Sequence, residues 1–192
     1  MEGLTPAYTV EGVTDWKNRA FDDIPTSSNT NWDNATCNWN ATGYRLPTEM
    51  EWMWAAMGAP ADGQNGGINT TGYSKAYAGE GYGAGTSIGD YAWYTNNSSS
   101  KTHPVGEKLP NELGLYDMSG NVWEWCWDWY GAYPTGTQTD YRGAGSGSRR
   151  VDRGGGWDSY ASYCSVAYRG SNSPYYQNGS RGFRVLRPVQ SP

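Results

Sequence analysis

Thr48-Glu49-Met50-Glu51-Trp52 opens the clearest ordered run of polar and apolar positions. Thr48 is a good N-cap, and Glu51 three residues later closes a capping box. Trp52, Ala55 and Ala56 follow at helical spacing, and Gly58 suits the first residue past the end. The pattern predicts a helix with a structural role. Between Val122 and Trp129 the alternation has period two, which predicts a half-buried strand turning its large side chains to the core. Tyr91–Tyr94 reads as the start of an extended segment, Arg149–Arg153 leads into a strand, and Gly182–Leu186 predicts a closing strand. Residues 1–42 are polar and turn-rich, with Trp16, Trp32 and Trp39 as anchors. Residues 59–90 show no sustained period and predict a long surface excursion, and 131–150 form another loop.

Composition changes that picture in one respect. Hydrophobic residues are only 36% of the 192 and mean hydropathy is −0.80, values that alone would suit a disordered chain. Eleven Trp and 16 Tyr argue for a packed core, because each aromatic buries a large area. With 27 Gly and 10 Pro, much of the backbone must be turns. The expectation is one loop-rich α+β domain over residues 1–192.

Charge and chemistry exclude several functions. A net charge of −5 speaks against a nucleic-acid partner, which needs a clustered basic surface. Arg149, Arg150 and Arg153 make one small basic cluster, better suited to solvation or carboxylate pairing. No apolar run approaches membrane-spanning length. Cys37, Cys126 and Cys164 are far apart, with no metal-ligand spacing, and read as buried free thiols. His103 is the single histidine, so mechanisms needing several His ligands have no donors.

Four blocks together carry a resemblance: Tyr44-Arg45-Leu46-Pro47-Thr48-Glu49 with Glu51-Trp52, Gly114–Trp125, Arg153-Gly154-Gly155 with Trp157, and Gly182-Phe183-Arg184. They resemble the formylglycine-generating-enzyme (sulfatase-modifying-factor) family from about residue 3 to residue 187. The resemblance implies a C-type-lectin-like fold with small antiparallel sheets. It also implies a further stretch upstream of Gly3, so the chain reads as a trimmed fragment. Catalytic members hold copper with two cysteines; their positions match Ala161 and Val166 here, neither of which can ligate a metal. The expectation is no copper and no catalysis. The resemblance also implies a structural calcium site at Asp117, Gly120, Val122 and Glu124, a hard-oxygen donor set that suits that ion. The bland alternative is that Asp117 caps a turn and Glu124 pairs with an arginine.

Residues 151–187 hold a framework of Arg153-Gly154-Gly155, Trp157, Ala161, Cys164, Val166-Ala167, Arg169, Pro174 and Gly182-Phe183-Arg184-Val185. In this framework Trp157, Ala161, Val166 and Phe183 are expected to pack, and Arg153, Arg169 and Arg184 to bridge carbonyls or carboxylates. The residues between are drawn from five types: Asp152, Gly156, Asp158, Ser159, Tyr160, Ser162, Tyr163, Ser165, Tyr168, Ser171, Asn172, Ser173, Tyr175, Tyr176 and Asn178. Each type is one or two adenine changes from an AAY asparagine codon. This resembles the variable proteins of diversity-generating retroelements, whose reverse transcription randomises template adenines. Loop preference explains Asn, Asp, Ser and Gly, but not the tyrosines. The same palette dominates antibody paratopes, where Tyr gives contact area with few rotors. Residues 151–187 are therefore expected to display a variable surface to a protein or glycan ligand, and the resemblance implies a bacterial cell-surface or secreted location. The competing readings are a formylglycine-generating oxidase and a pseudoenzyme with one fixed partner.

Overall fold

In the computed structural model, residues 3–14, 20–58, 72–80 and 85–188 are described. Chain order runs β1 (Tyr8–Thr9), α1 (Thr30–Asp33), β2 (Thr36–Cys37), α2 (Glu49–Ala56), α3 (Ile88–Tyr91), β3 (Trp123–Trp129), β4 (Arg150–Arg153), β5 (Arg169–Asn172) and β6 (Arg181–Gly182). Such short elements joined by long turns make the loop-rich α+β fold that the composition implies.

The predicted helix forms as α2. Thr48 Oγ1 accepts from Glu51 N, and the Glu51 carboxylate accepts from Thr48 N at 2.8 Å, which completes the capping box. Gly58 ends it in the left-handed region, φ +85°, with its N–H on Ala55 O. The buried face of α2 places Trp52, Met53 and Ala56 against Ala78, Met118, Cys126, Val151 and Val166, and this cluster is the core.

The main sheet has strand order β5-β4-β3-β6. β3 and β4 pair antiparallel, as do β4 and β5, whereas β3 and β6 pair parallel, so one pairing departs from the antiparallel expectation. β1 and β2 form a separate two-stranded sheet. The expected closing strand shrinks to β6 and one bridge between Leu186 and Arg45. Arg184 turns inward to bind Glu124, and the alternation then points Phe183 and Val185 to solvent.

β3 has the expected period with its faces exchanged. Glu124, Cys126 and Asp128 are buried on the core side, while Trp125, Trp127 and Trp129 are half-buried on the other. Polar partners lie on the core side, although Asp128 Oδ1 is buried without one. Glu124 accepts from Trp52 Nε1 at 2.7 Å and from Arg184 at 2.6 and 2.7 Å. Asp128 accepts from the backbone N of Glu49 at the start of α2. The outer tryptophans are roofed instead: Arg150 lies over the rings of Trp127 and Trp129, and Tyr8 stacks on Trp127 at 4.7 Å.

Three loop expectations change as well. Residues 75–78 are no surface excursion: Lys75, Tyr77 and Ala78 are buried, and Tyr77 packs on Tyr91 at 5.5 Å. The rest of that expectation at 59–71 and 81–84, like the Trp16 anchor, lies outside the described residues. Tyr91 ends α3 instead of starting an extended segment, because Asp90 closes a turn onto Ser87 N. Trp32 is half-buried, as is Trp39, which is flanked by Arg45 and Arg142. The cysteines are free, with Cys126 and Cys164 buried and Cys37 half-buried.

Candidate ligand-binding surface

The segment 151–187 leaves the sheet through β4, crosses a tight loop, returns as β5 and ends at β6. Its path needs Gly154 and Gly155, both with positive φ, because a Cβ on Gly155 would stand 2.8 Å from Cys164 Sγ. Arginines then tie it down. Arg153 is completely buried and donates to the carbonyls of Val166, Ala167 and Tyr168, with Glu49 3.4 Å away. Arg169 grips Glu49 with two bonds, 2.6 and 2.7 Å, and donates to Gly131 O. Glu49, at the first turn of α2, is therefore a buried carboxylate shared by two arginines and the Tyr133 hydroxyl. All three expected arginine bridges form, and their carboxylate partners come from far away in sequence.

On this frame sits an aromatic ledge. Trp123 is its floor, 8% exposed, and donates Nε1 to Ser159 Oγ at 3.0 Å. Tyr168 and Tyr163 lie 5.8 and 6.5 Å from the Trp123 ring and 4.7 Å from each other. Tyr160 continues the row 6.2 Å beyond Tyr163 and is 69% exposed, the outermost member. Arg181 sits between Trp123 and the Tyr176 ring and carries the ledge to the turn at 176–180. Trp157 Nε1 pins that turn through Gly179 O.

The structure divides the fifteen variable candidates by exposure. Asp158, Tyr160, Ser162, Tyr163, Tyr168, Tyr175, Tyr176 and Asn178 are exposed; Ser165, Ser171, Asn172 and Ser173 are half-buried. Asp152, Gly156 and Ser159 are buried and do not belong to the surface. Asp152 is taken by Arg181 and Asn172, and Ser159 Oγ accepts from Gly156 N as well as from Trp123. Gly156 has Trp123 Cδ1 3.1 Å from where its Cβ would be. Of the expected packing residues, Val166 is fully buried and Trp157 half-buried. Ala161 and Phe183 are exposed, Ala161 because it starts the outward-facing single turn Ala161–Cys164. Sequence reasoning missed Trp123 as the floor, because the tyrosines it supports lie far along the chain and meet it only in the fold.

Cys164 ends that single turn with its side chain buried, and burial pushes its thiol up to about 12. It is a protonated, packed thiol at neutral pH. Asp117 and Glu124 sit at the far side of the sheet. Asp117 has φ +55°, and its Oδ2 accepts from Gly106 N while Oδ1 is buried without a partner. Arg184 bridges Tyr116 O, Asp117 O and the Glu124 carboxylate. Asp117 Oδ1 is an open oxygen, but both Glu124 oxygens are taken by Arg184 and Trp52, so the contacts present are those of a turn-closing aspartate and an arginine-paired glutamate.

A display frame of α2 and a small twisted sheet, with buried arginine clamps and a loop-borne aromatic face, defines a C-type-lectin-like domain of the formylglycine-generating type. Residues 11–189 match the sulfatase-modifying factor enzyme 1-like domain, and the chain belongs to that family. Among solved structures it is similar to Treponema denticola variable protein 1, 44% identical with a TM-score of 0.81, over 96% of this chain and 63% of that one. It is 35% identical to the chaperone protein LppX of Paenibacillus barcinonensis, over 97% of this chain and 62% of that protein. To the formylglycine-generating enzyme of Streptomyces coelicolor it is 36% identical, over 80% of this chain and 49% of the enzyme. The chain thus spans less than two thirds of each relative's length.

Proposed function

We propose that this domain is a non-catalytic ligand-binding module whose 151–187 surface is diversified, facing a protein or glycan outside the cell or on its surface. The connected ledge Tyr160–Tyr163–Tyr168 over Trp123 carries the reading. Exposed tyrosines on a rigid support lose little freedom on binding and offer both apolar area and hydroxyls. The similarity to a variable protein supports the same assignment. Against an oxidase stand Ala161 and Val166 at the positions where catalytic relatives are expected to carry cysteine.

The test is genetic and chemical together. A near-copy of the coding segment for 151–187, with AAY codons at the exposed positions and a reverse-transcriptase gene beside it, is the expected finding. A solitary, strain-invariant segment would point instead to a pseudoenzyme with one fixed partner. Oxidation of a cysteine-containing peptide by the copper-loaded protein would restore the enzyme reading. As part of the same proposal, Asp117, Gly120, Val122 and Glu124 hold a structural calcium ion through hard oxygen donors, an ion that would have to displace Arg184 from Glu124. Calcium then raises Tm in wild type and not in Asp117→Asn, and equal melting with calcium and chelator would remove the ion from the account.

A further inference from the structure

Asp152 is a diversified-type residue that never reaches the surface, yet it decides what the surface offers. It is 1% exposed in the middle of β4. Its Oδ2 accepts from Arg181 Nε at 3.1 Å and from Asn172 Nδ2 at 3.0 Å. Its Oδ1 is buried with no partner, and that oxygen fills the space a Cβ at Gly170 would need. Residues 152, 170 and 172 therefore form one packing unit across the β4–β5 ladder, which pairs Asp152 with Gly170.

Arg181 is the readout of that unit. Its side chain is only 16% exposed, and its guanidinium lies 4.8 Å from the Tyr176 ring and 6.0 Å from that of Trp123. It is thus a cation set within the aromatic ledge, held beneath it and neutralised by one carboxylate. A guanidinium that loses a buried partner is left with an uncompensated charge and must find water or another anion. Rotation outward past Tyr176 meets that demand, since the side chain already touches solvent.

We propose that residue 152 sets the ligand class of the surface through Arg181. With Asp152 the cation is withheld and the ledge recognises neutral, hydrogen-bonding groups. With an uncharged residue at 152, Arg181 emerges among the tyrosines as an anion receptor for carboxylate, sulfate or phosphate groups. Asp152 is then a positioning residue that determines specificity without touching ligand. This inference rests on the ligand-surface reading for its biological meaning, but its physical content stands apart from it.

The experiment is a titration of the full chain with inorganic sulfate, read by NMR at the backbone amide signals of Tyr176 and Gly182, which every variant retains. Asp152→Ser should bind sulfate about tenfold more tightly than wild type, a gain of the size expected for one charge-assisted hydrogen bond set free. Asp152→Asn, which keeps the shape and one acceptor, should shift the same way by less, and it carries the test if the serine variant does not fold. Adding Arg181→Gln to either should abolish the gain. A folded variant with wild-type sulfate affinity, or a gain that survives Arg181→Gln, overturns the proposal. Because sulfate replaces the natural ligand, failure here leaves the diversified-surface reading standing, and a missing template copy leaves this result standing.

Discussion

Two populations of side chains share the stretch 151–187, and they differ in where their partners lie. Arg153 and Arg169 reach across the fold to Glu49, 104 and 120 positions away counting from the residue numbers (153 − 49 and 169 − 49). Tyr160, Tyr163 and Tyr168 touch chiefly one another and the Trp123 floor. The first population makes the loop part of the core; the second lies on its outside, over the Trp123 ring. Long-range ionic ties hold the backbone of this stretch, and short-range aromatic contacts dress it.

Breaking the first population should have the largest effect. Arg153 is fully buried, with three carbonyls and Glu49 depending on it, so Arg153→Met leaves a buried carboxylate short of charge. A loss of about 3–5 kcal/mol is expected in urea unfolding. Arg153→Lys should recover little, since an ammonium cannot span the same set of carbonyls. A loss below about 1 kcal/mol would mean the clamp is incidental.

The next effect is a pH dependence. Burial pushes the Asp128 carboxyl up to about 6, with the nearby Glu49 charge adding to it. Its folded pKa lies above the ordinary carboxylate value, so the folded state binds the proton more tightly than the unfolded one. The associated stability is therefore fully present below about pH 4 and lost as pH rises to about 6. The size is on the order of 3 kcal/mol. Comparing wild type with Asp128→Asn across that window isolates the contribution, because the amide cannot titrate. Parallel curves for the two proteins would show that Asp128 titrates normally.

Smaller still is Ser159→Ala. Ser159 has the composition of the variable set and the behaviour of the frame: its hydroxyl accepts from Trp123 Nε1 and from Gly156 N. Two buried donors lose their acceptor, and about 1–3 kcal/mol should go with them. Thermal unfolding reads it directly. A neutral result would place Ser159 with the displayed residues after all.

Residue type alone could not make that assignment, and the same limit marks the rest of the sequence reading. α2 was legible to its caps because Thr48, Glu51 and Gly58 act within one turn of where they stand. The period of β3 was legible for the same reason. Its orientation was not, because the burial of Glu124 and Asp128 depends on Arg184, Trp52 and the N-terminus of α2, none of them local. Hydrophobicity favours tryptophan inside, but the partners of Glu124 and of one Asp128 oxygen lie on that side instead. Phe183 followed from the same event: once Arg184 is drawn to Glu124, alternation sends the phenylalanine outward. Of the candidate surface, the exposed tyrosines were legible, whereas Asp152, Gly156 and Ser159 needed the register of β4 with β5 and the position of Trp123.

The smallest stability effect belongs to the second population, and it sharpens the contrast most. Tyr160 is the outermost ring and, among the described residues, packs on the Tyr163 ring alone. Tyr160→Ser should change stability by less than about 0.5 kcal/mol, as exposed substitutions away from special features do. Its cost should fall on recognition instead: an immobilised wild-type ligand, once found, should lose about tenfold or more in affinity, the range of an aromatic anchor. Combining Tyr160→Ser with Tyr163→Ser tests whether the ledge acts as a unit. The two rings stand in contact, so their binding losses should be non-additive while their stability effects stay near zero. A large melting-temperature drop in the double variant would mean that the ledge helps hold the loop, and the division into frame and display would have to be redrawn around Tyr163.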